Sequence, residues 1–278
     1  MFKHKVKANK VGSYAFLLLI SSFTLTLILW AFLASISQTK DIFKGNVLSF
    51  NYSFDSYVKL LDSGGGLENI INTVIYSVAT CVLVIFLTAP LAYALARFDF
   101  KGRDTMKQML AFLLNVPSII VTIPIFTFTS ALEMTNSRLV IIVIYTVLRI
   151  PFNTFFLISF FQNIPKSYEE SAMLDGAGYY RIFWSIIFPF ARSAIFTLTI
   201  INFISTWNEY FIALIFANSR ELRPVGVWLN AIIASMKVNG NWSGMFAAII
   251  IVSIPTIVIY SILSEKIINN NVSGGVKG

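Results

Sequence analysis

NIINTVIYSVATCVLVIFLTAPLAYALA, running from Asn69 to Ala96, is the stretch that decides the fold. It contains no charged side chain. It is also longer than the roughly 20 apolar residues that cross the hydrocarbon of a bilayer at 1.5 Å rise per residue. It lacks the period-two alternation of a transmembrane barrel strand, so it reads as a membrane helix.

Five further blocks of the same kind lie outward from it, at approximately 13–35, 107–130, 139–161, 190–216 and 242–263. A segment such as Ser118 to Phe128 also fits a buried strand when taken alone, but the blocks as a set favour helices. The expected fold is all-α, a polytopic membrane protein with six transmembrane helices forming one transmembrane domain over 1–278. Composition agrees. The chain is 56% hydrophobic and 12% charged, against about 25% charged residues in soluble domains, and its mean hydropathy is +0.75.

The first block follows Lys3, Lys5, Lys7 and Lys10 and precedes Ala34 and Ser37, a pattern shared with secretory signal peptides. Its apolar run exceeds a signal core and five more spans follow, so an uncleaved anchor is the better reading. With the N-terminus inside, thirteen Lys and Arg residues fall on inner segments and seven on outer ones, with Arg149 inside a span. That bias places both termini in the cytoplasm. The net charge of +8 is then a matter of topology and anionic headgroups, with no nucleic-acid partner implied.

One Cys (Cys81) and one His (His4) cannot build a Cys/His metal cluster or a Cys-His nucleophile pair. Gly64, Gly65 and Gly66 lack the Lys of a P-loop, and no such loop occurs elsewhere. The chain is therefore not expected to be an enzyme or to bind a cofactor itself. ATP, if used, is bound by a partner.

The inner segment 162–189 is too long for a turn. Ser167 and Glu170 have capping-box spacing, Gly176 suits a helix terminator, and Tyr179, Ile182, Phe183, Ile186 and Ile187 share one face of an amphipathic helix. Pro189 closes the pattern. Within the spans, Pro90, Pro117, Pro124, Pro151 and Pro255 are expected to kink helices. Arg149 is costly near mid-span, at least about 2.5 kcal/mol, so it should meet a cavity or a partner. Asn153 follows one turn later. Two readings of Arg149 stand side by side: pairing with backbone carbonyls or a partner's carboxylate, and contact with an acidic substrate.

Glu170, Ser171, Ala172, Gly176, Ile186, Phe188 and Pro189 resemble the EAA loop of binding-protein-dependent ABC permeases. The spacing is kept, with Ser171 and Phe188 departing in size only. The Ala92–Phe98 stretch, the Trp207–Tyr210 run and the tail Gly274, Gly275, Val276, Lys277 and Gly278 are similar to the carbohydrate branch, specifically the maltose-type second permease subunit.

The resemblance implies an ABC type I importer permease in the bacterial inner membrane. It pairs with a second permease, is driven by two ATPase subunits that hold ATP and Mg, and is fed by an extracytoplasmic solute-binding protein. Ser167, Glu170, Ala172, Asp175, Gly176, Ala177, Ile186 and Pro189 would couple to the ATPase, assisted by the tail 264–278 through Gly274, Gly275, Val276 and Lys277. Arg149, Asn153, Asn208 and Glu209 are the expected translocation-path residues, with Trp207 and Tyr210 doubling as interfacial anchors. Arg220, Arg223, Trp228 and Asn230, in an outer loop from Asn218 to Asn241, would face the binding protein. The expected cargo is a sugar or oligosaccharide, acidic if Arg149 meets it. A non-sugar ABC permease, an ATPase-independent channel or secondary transporter, and a membrane scaffold are the alternatives.

Overall fold

The computed structural model describes residues 2–62 and 65–274, and among these there are helices and turns but no strand. In chain order the helices are α1 (Phe2–Ile36), α2 (Thr39–Phe43), α3 (Asp55–Asp62), α4 (Gly66–Arg97), α5 (Arg103–Leu113), α6 (Ser118–Ala131), α7 (Arg138–Gln162), α8 (Ser167–Leu174) and α9 (Tyr179–Ile182). A π-helical turn (Phe183–Ile187) leads into α10 (Phe188–Phe190), followed by α11 (Arg192–Trp207), α12 (Phe211–Phe216), a 3-10 turn (Arg220–Leu222), α13 (Val225–Asn239) and α14 (Trp242–Gly274).

Four helices are long and apolar enough to cross a membrane alone, over Gly12–Ile36, Gly66–Arg97, Arg138–Gln162 and Trp242–Ile262. Two more candidates are bent pairs. The block at 107–130 is not one helix: α5 and α6 meet at 102°. Pro117 stands at the start of α6 with extended backbone (φ −61°, ψ 130°), because it has no N–H to continue α5 and biases the preceding residue away from helix. The block at 190–216 is likewise interrupted twice. The segment Tyr179–Phe190 turns by 71° into α11, and α11 stops at Trp207 before α12 begins at Phe211. Pro90, Pro124, Pro151 and Pro255 lie inside helices that run on past them.

The outer loop expected from Asn218 to Asn241 is mostly the helix α13. The tail from 264 continues α14 as far as Gly274, while Gly275, Val276 and Lys277 lie outside the described residues.

The described residues form two compact units. The first comprises residues up to Leu67 together with Leu229–Pro255. There Ser35 Oγ lies 2.6 Å from Tyr57 Oη, Ser243 Oγ donates to the Ser35 carbonyl at 3.1 Å, and Trp30 meets Phe246 edge-on. The apolar residues of Gly12–Ile36 are mostly exposed, as a lipid-facing helix requires. The second unit, Glu68–Trp228 with Thr256–Gly274, holds two apolar cores. One gathers Tyr93, Leu157, Phe161, Ile182, Phe183 and Ile187 at the Arg97 end of α4. The other gathers Tyr76, Ile141, Tyr145, Ile212 and Phe216 towards its Asn69 end.

Candidate functional site

The segment 162–189 forms a helix-turn-helix built by local rules. Pro165 and Lys166 start α8 one residue earlier than capping-box spacing suggests. The amides of Glu169 and Glu170 donate to the Lys166 carbonyl, and Lys166 is itself helical. Ser167 therefore lies inside the first turn, and the expected Ser167–Glu170 box does not form. Glu169 and Glu170 in that turn still complement the helix dipole.

Helix α8 ends as anticipated. Gly176 takes φ +83°, its amide donates to the Met173 carbonyl, and the Ala177 amide donates to that of Ala172. These two bonds make a Schellman motif. Asp175 is the C-cap, and no atom lies within 4 Å of a Cβ built on Gly176. The constraint on Gly176 is therefore conformational.

Of the predicted apolar face, Ile182, Phe183 and Ile187 are buried and Ile186 partly so, whereas Tyr179 is exposed at the edge with its ring 5.2 Å from that of Phe98. The π-helical turn lies just before Pro189, with the Phe188 amide donating to the Phe183 carbonyl. Pro189 would clash with the carbonyl four residues back in a regular α-helix, and the wider turn relieves this. Pro189 is thus carried within the helix, and the change of direction falls at Ala191.

The two adjacent glutamates of α8 have opposite fates. Glu170 is exposed, while Glu169 is buried, its Oε1 2.7 Å from Arg97 Nε, with 9% and 5% of the two side chains accessible. The Nε–Oε1 contact is close without being aligned as a hydrogen bond. Arg97, the last residue of α4, also donates through Nη2 to the Ile164 carbonyl, and Tyr93 Oη donates to Glu169 Oε2 at 3.4 Å. The Tyr93 ring packs on Phe98, Phe161 and Phe183. The loop is therefore seated on the end of α4 by charge and by aromatic packing together. Sequence reading assigned Arg97 to topology and passed over Glu169, because a charge at the end of an apolar run looks like a boundary marker.

The four expected path residues divide. Arg149, on α7, donates from Nη1 to the Tyr145 carbonyl and from Nη2 to Ser205 Oγ on α11, and its guanidinium lies 5.5 Å from the Tyr145 ring centre. Among the described residues no carboxylate lies within ion-pair distance of it, and its Nε is buried without an acceptor.

Asn153 is fully buried and forms a reciprocal amide pair with Asn202, at 3.1 and 2.7 Å. Glu209 accepts from Tyr145 Oη and from the amides of Ile212 and Ala213, so its carboxylate secures the start of α12 after the break. Asn208 is exposed and donates to the Ile204 carbonyl of its own helix. Arg149 and Ser205 thus come together, as do Asn153 and Asn202, while Glu209 serves the backbone. Asn202 and Tyr145 were detectable as polar groups inside apolar blocks. Trp207, expected as an interfacial anchor, is 2% exposed, with its ring stacked on that of Phe203.

At the other end of α4, Arg138 Nη2 donates to Asn72 Oδ1 at 2.8 Å, and Asn72 Nδ2 donates to the carbonyls of Glu221 and Arg223. Tyr76 Oη donates to the Leu222 carbonyl, and Thr73 Oγ1 accepts the Val225 amide. The 3-10 turn carrying Arg220 is thereby strapped to α4 and α7. Arg220 and Asn230 are exposed, Arg223 is half-buried and donates to the Asn218 carbonyl, and Trp228 is buried. Trp228 therefore does not offer an exposed ring. Glu221 is fully exposed, and hydrogen bonds from its own amide and Ser219, with Arg220 and Arg223 nearby, hold its carboxyl below the usual carboxylate range.

The arrangement has known counterparts. The chain superposes with a TM-score of 0.78 on a chain of the crystal structure of a bacterial ABC transporter involved in import of the acidic polysaccharide alginate, at 26% identity over 93% of this chain and 97% of that one. It is 28% identical to the diacetylchitobiose uptake system permease protein NgcG of Streptomyces coelicolor, over 92% of this chain and 85% of the relative. It is 30% identical to the sulfoquinovosyl glycerol transport system permease protein SmoH of Agrobacterium fabrum, over 74% and 72%. Residues 88–268 match the family described as binding-protein-dependent transport system inner membrane component, and the chain belongs to it, a multi-pass protein of the bacterial inner membrane.

Proposed function

We propose that the chain is one permease of an ATP-driven ABC importer for a sugar or oligosaccharide, forming the translocation path with a second permease. The observation that carries this reading is the seating of segment 162–189. One face is buried in the core shared with α4, α7 and α11, while Glu170, Leu174 and Tyr180 are exposed on the other. Such a surface suits an ATPase subunit that holds ATP and Mg. Ser167, Glu170, Ala172, Asp175, Gly176, Ala177, Ile186 and Pro189 are the coupling segment, with the tail from 264 through Gly274 to Lys277 as a second contact.

In this reading the chain is one permease domain over 1–278 with six spans and both termini cytoplasmic, the bent pairs α5–α6 and α9–α11 each supplying one crossing. An extracytoplasmic solute-binding protein meets Arg220 and Arg223 on the strapped turn, with Asn230 as a further contact, while the buried Trp228 offers it no exposed ring. ATP closure moves the coupling segments and the spans open outward. This requires that nucleotide and loaded binding protein each favour one conformer, since equal affinity for both would shift nothing.

Acidic sugars are the cargo class favoured within this reading, because Arg149 forms no salt bridge among the described residues, and Glu209, beyond Tyr145, is engaged by the Tyr145 hydroxyl and two backbone amides. Import of alginate and sulfoquinovosyl glycerol by its relatives points the same way. The membrane complex purified from its host in mild detergent through a tag on this chain is expected to contain an ATPase and a second permease. Recovery of the chain alone, with phosphate release absent, would defeat the proposal.

A further inference from the structure

Two side chains outside the motif residues command the joint between the coupling segment and the spans. We infer that Glu169 and Arg97, with Tyr93 behind them, are positioning residues that transmit motion of α8 to α4; the inference rests on the reading proposed above.

The argument is one of geometry and cost. Glu169 belongs to α8 and Arg97 to the end of α4, and their charged atoms lie 2.7 Å apart with 9% and 5% of the side chains accessible. A buried pair of this kind adds little over an apolar pair, yet removing one partner leaves a buried charge uncompensated. The charged pair adds a directional contact that an apolar pair would lack. Arg97 uses Nε towards Glu169 and Nη2 towards the Ile164 carbonyl, so it holds both α8 and the turn that leads into it. Tyr93 donates to the second carboxylate oxygen and packs its ring, tilted by 36°, against Phe183 of the returning π-helical turn. One turn of α4 thus grips both arms of the helix-turn-helix. Apolar contacts slide, whereas a guanidinium held between a carboxylate and a backbone carbonyl restricts register.

The adjacent Glu170 is exposed and faces away from this grip. The two glutamates therefore divide the work, one inward to the permease and the other outward to the proposed ATPase.

The test uses the intact importer reconstituted in lipid nanodiscs with its solute-binding protein as purified, measuring phosphate release from ATP per assembled complex. Glu169→Gln and Arg97→Gln should lower the maximal stimulation by the binding protein about tenfold, in the range of typical coupling factors, with the half-saturating ATP concentration unchanged. Hydrogen exchange should speed up in amides 168–175 and stay at the parent's rate in 192–207. Stimulation equal to the parent's overturns the inference. So does faster exchange throughout both regions, which would mark the pair as a folding element. A parent complex that hydrolyses no ATP refutes the importer reading itself, a result separable from either of these.

Discussion

A methyl group added at Gly226 tests how closely α13 approaches the broken part of the 190–216 segment. A Cβ built there lies 2.7 Å from the Glu209 carbonyl oxygen and 3.3 and 3.4 Å from Tyr210 Cβ and Cα. Two of these three atoms are backbone, and they belong to a turn pinned by three hydrogen bonds to the Glu209 carboxylate. Neither a rotamer change nor a small local slide relieves the contact. Overpacking of this kind costs about 1–3 kcal/mol. The helical preference for alanine returns up to about 1 kcal/mol, and less in a first turn. Gly226→Ala is therefore expected to lose about 1–2 kcal/mol net, and Gly226→Val more.

Unfolding titrated with SDS in mixed micelles and followed by tryptophan fluorescence measures this, since Trp207 is buried one residue before the break. Gly12→Ala, with open space around its Cβ in α1, should show the opposite sign or none. A Gly226→Ala protein as stable as the parent would refute the close approach and the rigidity assigned to the Asn208–Tyr210 turn.

Gly176→Asp places a side chain at φ +83°, costing about 1–2 kcal/mol locally; normal membrane insertion with loss of binding-protein-stimulated ATP hydrolysis is expected in nanodiscs. Arg149→Gln should reduce uptake of acidic oligosaccharides about tenfold or more, as loss of a charged hydrogen bond does, with neutral ones less affected; equal effects in a transport assay would remove the acidic-sugar assignment. Asn153→Leu strands the Asn202 amide and should cost about 1 kcal/mol in SDS titration. The Asn153→Leu/Asn202→Leu double substitution should recover most of that loss.

Apolar length marked the candidate spans, and the spacing from Glu170 to Pro189 marked the helix-turn-helix at 162–189, because both are properties of runs and periods. The failures share one physical origin. Hydropathy does not register a change of direction inside an apolar run, so the 102° bend at Pro117 and the interruption at Asn208 were invisible to it. Pro117 was legible as a kink but not as a terminus. Capping spacing failed at Ser167 because Lys166 takes the helical conformation first. Partners distant in sequence, such as Arg97 with Glu169 or Asn153 with Asn202, are fixed by packing and leave no periodic trace. Trp228 was misplaced for the same reason, since α13 turns its ring inward.

The two ends of α4 carry the argument for how these parts act together. This helix has 32 residues, about 48 Å of length at 1.5 Å per residue. At one end Tyr93 and Arg97 engage both arms of the helix-turn-helix at 162–189. At the other, Asn72, Thr73 and Tyr76 hold the turn at 220–225 by four hydrogen bonds. The helix runs on unbroken through Pro90, and in the proposed mechanism it moves as one rod, so that a tilt imposed at Arg97 displaces the turn beside Asn72. Asn72→Ala should then weaken the response to the binding protein while leaving the ATPase attached, and Glu169→Gln should do the same from the opposite end. Combined, they should cost no more than either alone, since a single rod broken twice transmits no less than one broken once. Additive losses would mean that force reaches the turn by another route, through α7 and Arg138.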